Sequence, residues 1–384
     1  MKNFGLKAGM LCIAAAISAS AIADGLNPTW LPGGYDGITV NGSKEIGLTL
    51  NTLVQGSYTF SDNDGSDNAS SFDVNHAVLM AHGDIADTDW GYWLDADFAQ
   101  DTNYDNGNRN TSSNLRDALL YWKPCGNSMV RLGQFRTAFS RQSGAFDGGL
   151  QFTDRSLATN FFSFGRQGGA QVDGSWVDGM ITGSAGIFNG TSSGEGQNTS
   201  GIDTDHAGVL SLRVNPTGHM DLLTEGDYAG TKDLATSFGV TYVGDAGNFY
   251  NPAAETNLNL ARSVGYTRST VSVDGNIRYM GAALQAELYT GSRNDDGTSD
   301  NTNVDGFYVQ AGYYIVPQST EIAARYSAIN YEGSLSDSQT GVALTHFIYK
   351  NRVKATLGYD HYTYEATTGD TNDNRWMLQA TMAL

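Results

Sequence analysis

The chain ends in the stretch NRWMLQATMAL, residues 374–384, in which every second residue from Trp376 to Leu384 is apolar. Gln379 and Thr381 stand between these apolar residues. A period of two predicts a β-strand with one apolar and one polar face. The pattern alone leaves open whether the apolar face contacts a protein core or lipid.

Similar alternating rows recur along the chain, over residues 92–98, 282–289, 307–315 and 321–328. No apolar run beyond residue 23 approaches the roughly 20 residues that a transmembrane helix needs. The rows match the roughly 9–11 residues with which a tilted strand crosses a bilayer. The sequence therefore predicts an all-β fold.

The N-terminus has the organisation of a secretory signal. Lys2 and Lys7 precede an apolar run over residues 8–17, and Ala21-Ile22-Ala23 then supplies small residues for cleavage. This pattern predicts a signal peptide over residues 1–23, so the mature chain is exported.

The mature chain is strongly acidic. Without the signal peptide the 22 basic residues fall by two to 20, against 41 acidic residues. This balance excludes nucleic acid as a partner, because a phosphate backbone attracts clustered Lys and Arg. The acids occur in bursts with Gly, Asn, Ser and Thr at 61–67, 294–300 and 369–373, a composition typical of solvated loops. Calcium binding is the alternative, but the bursts lack the full alternating Asp spacing of a calcium loop.

Connections of two kinds alternate between the predicted strands. Short ones near 87–89, 124–127, 316–319 and 350–352 alternate with long ones near 61–71, 101–113, 139–165, 190–203, 245–268 and 292–303. An outer-membrane barrel has short periplasmic turns and long extracellular loops. We therefore predict a transmembrane antiparallel β-barrel of sixteen strands over residues 43–384, after a short periplasmic segment, 24–42. The stretch 216–233 is long for a turn and could change the count by two.

A strand in lipid must pair on both sides, so the predicted barrel is closed. The row of alternating apolar residues over 376–384 is then the lipid face of the closing strand. We expect it to contact outer-membrane lipid and lipopolysaccharide. The insertion machinery is expected to recognise this strand. Sixteen strands enclose an aqueous channel. The charged residues predicted to line it are Asp95, Asp97, Glu287, Glu321, Arg325, Lys354 and Arg375.

Residues 130–140 read VRLGQFRTAFS, residues 152–158 read FTDRSLA, and GRQGG follows at 165–169. This succession resembles the phosphate-selective porin O and P family, in which a strand like RVGQFK-x-PFS leads into a loop with an ERSL-like box and a GRQ-G strand. The stretch from Gly312-Tyr313-Tyr314 to Arg325-Tyr326 is similar to a second family pattern.

The resemblance implies a trimeric outer-membrane channel of a Gram-negative bacterium, with a third loop folded inward as the constriction. Two positions depart from the pattern, with Ala138 in place of Pro and Asp154 in place of Glu. Basic residues are too few for a complete ladder along the pore. We therefore expect the architecture and the transport role, but not phosphate selectivity.

The predicted inward loop has a local excess of positive charge. The residues expected at the constriction are Arg136, Arg141, Arg155, Arg166, Asp147 and Asp154. Like charges in a narrow pore repel ions of the same sign and favour the opposite one, so these arginines would give a weak preference for anions. Two alternatives remain: Arg155 and Asp154 could instead pin the loop by ion pairs, and the acidic mouth could concentrate cations.

An enzyme needs a base beside its orienting partner, whereas the six histidines are scattered along the chain. We predict no catalytic residue, no metal and no cofactor. The expected function is passive diffusion of small hydrophilic solutes or ions through a homotrimer. A structural or adhesive barrel is the alternative, and a barrel hydrolase is a further one.

Overall fold

The computed structural model describes residues 38–39, 46–64, 68–99, 114–190, 206–250, 263–295, 301–332, 335–365 and 369–384. The predicted signal peptide, 1–23, and most of the predicted periplasmic segment, 24–42, lie outside these residues. Ile38–Thr39, which belongs to the predicted segment 24–42, forms a two-residue strand. Ile38 pairs with Leu50, and Thr39 pairs with Thr49.

Sixteen long strands account for most of the described residues. They are β1 (Thr49–Asn63), β2 (Ala69–Asp84), β3 (Trp90–Asp97), β4 (Asn114–Cys125), β5 (Ser128–Arg136), β6 (Arg166–Trp176), β7 (Ile181–Phe188), β8 (Ala207–Val214), β9 (Ala235–Tyr250), β10 (Ser263–Tyr279), β11 (Ala282–Asp295), β12 (Asn301–Val316), β13 (Thr320–Tyr331), β14 (Ser336–Tyr349), β15 (Val353–Tyr364) and β16 (Thr371–Ala383).

Each strand pairs antiparallel with the next one along the chain. The last strand, β16, pairs with β1 from Asp373↔Asn63 to Ala383↔Leu53, which closes the sheet. Closure leaves no strand edge unpaired, as a sheet in lipid requires. The predicted sixteen-stranded antiparallel barrel is therefore confirmed, and residues 216–233 contribute no strand.

The C-terminal strand has the two faces that its sequence predicts. Trp376, Leu378 and Met382 are 48%, 53% and 40% exposed on the outside of the barrel, whereas Gln379 and Thr381 are buried on the inside. The same alternation occurs in β11, where Leu284 and Leu288 are exposed between buried neighbours. An apolar outer band follows from this repeated pattern, as expected for a barrel surface that faces lipid.

The outer band gives a stability prediction. Leu378 lies next to Leu357 and Tyr58 in the sheet, within this band. Leu378→Arg is expected to lower the free energy of unfolding in lipid vesicles by about 2–4 kcal/mol, because a charge inside the hydrocarbon is costly. The same substitution beside a turn, Ile348→Arg, should cost only about 0–1 kcal/mol. Urea titration of both variants measures the difference, and equal losses would mean that this face is not lipid-exposed.

Most connections follow the predicted asymmetry. At one end they are short, as at 126–127, 177–180, 280–281, 317–319 and 350–352, and the long connections lie at the other. Residues 215–234, between β8 and β9, are the long exception at the short end. The loop predicted near 245–268 is shorter than expected, because β9 and β10 stay paired as far as Tyr250↔Ser263. Pairing continues there despite the turn-like composition, since strand preference depends on the neighbouring strand.

Between β5 and β6 lie α1 (Arg141–Gly144), a 3₁₀ turn (Asp147–Gly149) and α2 (Leu157–Phe162). Ser140 and Ser156 cap the two helices by accepting hydrogen bonds from the amides of Ser143 and Thr159. Within the described residues, no helix is long and apolar enough to cross a membrane.

Candidate functional site

Residues 137–165, here called the inward loop, contact inward-facing side chains on the far side of the barrel. The partners lie on successive strands and are Glu287, Gln310, Glu321, Gln339, Lys354 and Gln379. Ser140, at the start of the loop, has a φ of 68°. This unusual conformation is held by the contacts of its hydroxyl with Glu287 (3.2 Å) and Tyr289 (3.0 Å). The loop therefore narrows the lumen.

Asp147 is the centre of the charge network on this loop. Its carboxylate lies 2.5 Å from the Arg116 guanidinium, 2.7 Å from that of Arg155 and 3.7 Å from that of Arg136. Burial alone would raise the pKa of Asp147, but the charges of Arg155, Arg116 and Arg136 hold this pKa well below its ordinary value. Asp147 is therefore an ionised anchor shared by three arginines.

The adjoining wall carries further ion pairs. Arg166 forms a bidentate pair with Asp117 at 2.9 and 3.2 Å and lies 3.9 Å from Asp95. Arg116 also lies 3.7 Å from Asp95 and 3.6 Å from Asp97. The local positive excess counted along the loop is thus offset by wall carboxylates that are distant in sequence.

Arg141 has a different environment. It is 5% exposed, and its two terminal nitrogens have no hydrogen-bond partner within the described residues. Its acid neighbour Asp274, at 3.8 Å, is already bound at 2.7 Å by both terminal nitrogens of Arg213. Burial and the nearby Arg213 lower the pKa of Arg141 to about 10, so the side chain stays positive at neutral pH.

Three of the charged wall residues named from the sequence contact the inward loop. Glu287 accepts hydrogen bonds from the amides of Arg141 (3.0 Å) and Gln142 (3.3 Å). Glu321 accepts one from the side-chain amide of Gln151 at 2.6 Å, and Lys354 donates one to the Leu150 carbonyl at 2.8 Å. These three residues contact the inward loop from the barrel wall and position it.

Arg325 and Arg155 also support the loop, whereas Arg375 contacts the neighbouring strand. Arg325 donates to the carbonyl of Asp154 at 2.8 Å and pairs with Asp360 at 3.2 Å. Arg375 binds the hydroxyl of Tyr362. Arg155 donates to the Gln142 and Ala145 carbonyls at 3.1 and 2.7 Å, so it braces the loop internally, and the Asp154 carboxylate accepts from the Arg155 amide.

A cavity of about 200 Å³ lies between the inward loop and the wall built by β1–β6. Its lining includes the charged residues Asp95, Arg116, Asp117, Arg136 and Arg166 and the apolar residues Leu53, Val78, Met80, Phe146 and Leu223. The apolar residues are unusual for the lining of an aqueous channel. Leu53, Val78 and Met80 can be apolar on the inner face because Phe146 of the inward loop and Leu223 cover them.

The four histidines on the strands lie apart from one another. His346 pairs with Ala355 and His361 with Thr340 in the same strand pair, so they are well separated along it. His76 bonds to Asp97 at 2.6 Å, and His82 bonds to Asn51 at 3.0 Å. Among the described residues, no group of three or more His, Cys, Asp or Glu side chains is arranged to hold a metal ion.

A closed barrel with an apolar outer band and an internal loop that narrows its lumen has the architecture of an outer-membrane channel. The chain belongs to the phosphate-selective porin O and P family, whose sequence model matches residues 46–382. It is a porin of the Gram-negative outer membrane that passes small solutes, as its sequence predicts.

Solved structures share this fold at low sequence identity. The anion-selective porin from Comamonas acidovorans is 12% identical, with 88% of this chain and 100% of that chain covered and a TM-score of 0.63. The outer-membrane channel DcaP of Acinetobacter baumannii is 13% identical, with 91% and 99% covered and a TM-score of 0.60. The trimer form of OmpT of Vibrio cholerae is 15% identical, with 88% and 99% covered and a TM-score of 0.56. No curated protein matches the chain.

Proposed function

We propose that this porin gives passive diffusion of small hydrophilic solutes and ions, with a weak preference for anions that Arg141 provides. The carrying observation is a contrast among arginines of the described residues. The guanidinium of Arg141 has one ion-pair partner there, Asp274 at 3.8 Å, which Arg213 already binds. Arg116 and Arg166 instead lie beside several carboxylates. A buried charge is poorly screened, so its field extends into the narrow part of the lumen. The anion-selective porin of similar fold supports the same sign.

Assembly and export are part of the proposal. The trimer form of OmpT, which has a similar fold, supports a homotrimer. The apolar outer band supports contact with outer-membrane lipid and lipopolysaccharide. The alternating C-terminal strand supports recognition by the insertion machinery, after removal of residues 1–23 and with 24–42 on the periplasmic side. We also propose that the protein catalyses no reaction, which the separation of His346 from His361 supports.

The test is the reversal potential in a planar bilayer under a potassium chloride gradient. The wild-type protein should conduct and give a weakly anion-selective potential, and Arg141→Gln should shift that potential towards cations. Lys350→Gln removes a positive charge from an exposed periplasmic turn and should leave it unchanged. A cation-selective wild type would mean that the acidic residues at the mouth determine the ion selectivity, and it would overturn the anion preference. Insertion without conductance would favour a structural or adhesive barrel.

A further inference from the structure

Residues 215–234, here called the periplasmic connection, fold into the barrel although they join two strands at the end with short turns. Met220, Glu225 and Asp227 are 4%, 2% and 2% exposed. A turn that only reverses the chain needs few residues, and its charged side chains remain in water. The burial of two carboxylates therefore indicates a role inside the lumen.

The periplasmic connection is bonded to the inward loop by main chain. The amide of Phe146 donates to the Leu223 carbonyl at 3.0 Å, and the amide of Glu225 donates to the Gly149 carbonyl at 3.1 Å. Gly149 permits this approach, because a Cβ atom there would lie 2.4 Å from the Leu223 carbonyl oxygen. The two segments thus meet edge to edge inside the barrel.

The carboxylate of Glu225 joins this contact to the wall. It accepts hydrogen bonds from the side-chain amides of Gln142 (2.6 Å), Gln285 (2.9 Å) and Gln310 (3.0 Å), and from the main-chain amide of Gln151 (2.9 Å). Gln142 and Gln151 belong to the inward loop, whereas Gln285 and Gln310 belong to β11 and β12. One side chain therefore connects three parts of the structure.

The base of the periplasmic connection is fixed independently. The Asp227 carboxylate accepts from the amide of Gly281 at 2.8 Å and from the hydroxyl of Thr231 at 2.6 Å. Arg278 donates to the carbonyl of Asp221 at 2.9 Å. The Tyr228 ring lies 5.1 Å from the ring of Phe347 on β14. With its base held, the region around Glu225 is presented to the inward loop in a defined position.

We propose that the periplasmic connection forms the second wall of the constriction and that Glu225 determines which solute sizes pass. Leu223, two residues before Glu225, lines the cavity of about 200 Å³ together with Phe146 of the loop. The cavity cannot widen on this side while Glu225 holds both segments to β11 and β12. The inference rests on the porin function, and it adds the residue that sets the size limit.

Two variants break the contact by different means. Glu225→Gln keeps the shape but replaces one accepting oxygen by an NH₂ group, which would face side-chain amides that also donate. Gly149→Ala leaves every charge in place and pushes the Leu223 carbonyl away. Asp233→Asn, an exposed acid-to-amide change in the same connection, is the matched control.

Single-channel conductance and liposome swelling with a mono-, a di- and a trisaccharide measure the effect. Both contact variants should conduct more than wild type and should admit the disaccharide or the trisaccharide faster relative to the monosaccharide, while Asp233→Asn matches wild type. Folding is checked by heat-modifiable migration on gels. If one variant does not fold, the other still tests the contact. Wild-type conductance and size dependence in both would overturn the inference and leave the porin function standing. A wild-type protein without conductance would overturn both.

Discussion

Replacing Asp147 by asparagine is expected to destabilise the barrel and to make the channel more anion-selective. The substitution removes the only negative charge that the inward loop offers to Arg116, Arg136 and Arg155 in the described structure. Removing one partner of a buried ion pair costs about 3–5 kcal/mol, because the remaining charge is left uncompensated. The unbalanced arginines also add a positive field beside the cavity. Urea unfolding in vesicles and the reversal potential measure the two effects.

Asp154→Asn is the matched control on the same loop. The Asp154 side chain accepts from the amide of Arg155 and from Asn160, and it is partly exposed, so we expect a cost below about 1 kcal/mol. An Asp147→Asn variant with wild-type stability and potential would show that the arginines are neutralised elsewhere.

Acid gives a further check on Asp147. Its folded pKa lies well below the ordinary value of 3.8, so the carboxylate stabilises the fold above that value and loses this contribution only as the pH falls through the lower folded pKa. The contribution of Asp147 to selectivity should therefore be constant from about pH 7 to about pH 5. A loss of the difference between wild type and Asp147→Asn within that window would contradict the assignment.

The sequence predicted the barrel because lipid imposes a simple rule on each strand. Outward positions must be apolar and inward positions may be polar. The orientation of Leu378 and Gln379 can therefore be predicted from their own polarity, without information on neighbouring strands. Strand ends were harder to predict. Beyond the lipid the alternation of apolar and polar residues is lost, while the backbone pairing of the strands continues, as at Tyr250↔Ser263.

The constriction was predicted only in part, since its charge balance depends on contacts between distant strands. A register shift in the pairing of β3 with β4, where Asp95 faces Asp117 and Ala96 faces Leu115, interrupts the period of two. Both Arg116 and Asp117 consequently reach the ion-pair network. The unusual length of residues 215–234 was the one weak signal for Glu225, and no pattern in these residues predicted that they enter the barrel.

Replacing Glu287 by alanine is expected to release the first part of the inward loop from the wall. Glu287 is 0% exposed and accepts from the amides of Arg141 and Gln142 and from the hydroxyls of Ser140 and Ser272. Each buried donor left without a partner costs roughly 1–3 kcal/mol. The helix α1 cannot keep its position without these bonds, because an isolated helix of this length is unstable. The channel should then show larger and noisier conductance.

Single-channel recording compares this variant with Glu332→Ala, which removes an exposed carboxylate at the rim bonded to Asn303. The rim variant should conduct like wild type. Glu287→Gln keeps one accepting oxygen in the same place, so its conductance should lie between the two, and it serves as the test if the alanine variant fails to insert. Quiet, wild-type conductance in both Glu287 variants would mean that the remaining wall contacts, such as Lys354 with the Leu150 carbonyl, suffice to hold the loop. The size of the pore would then be fixed from the β15 side of the barrel, and Lys354 would be the residue to replace next.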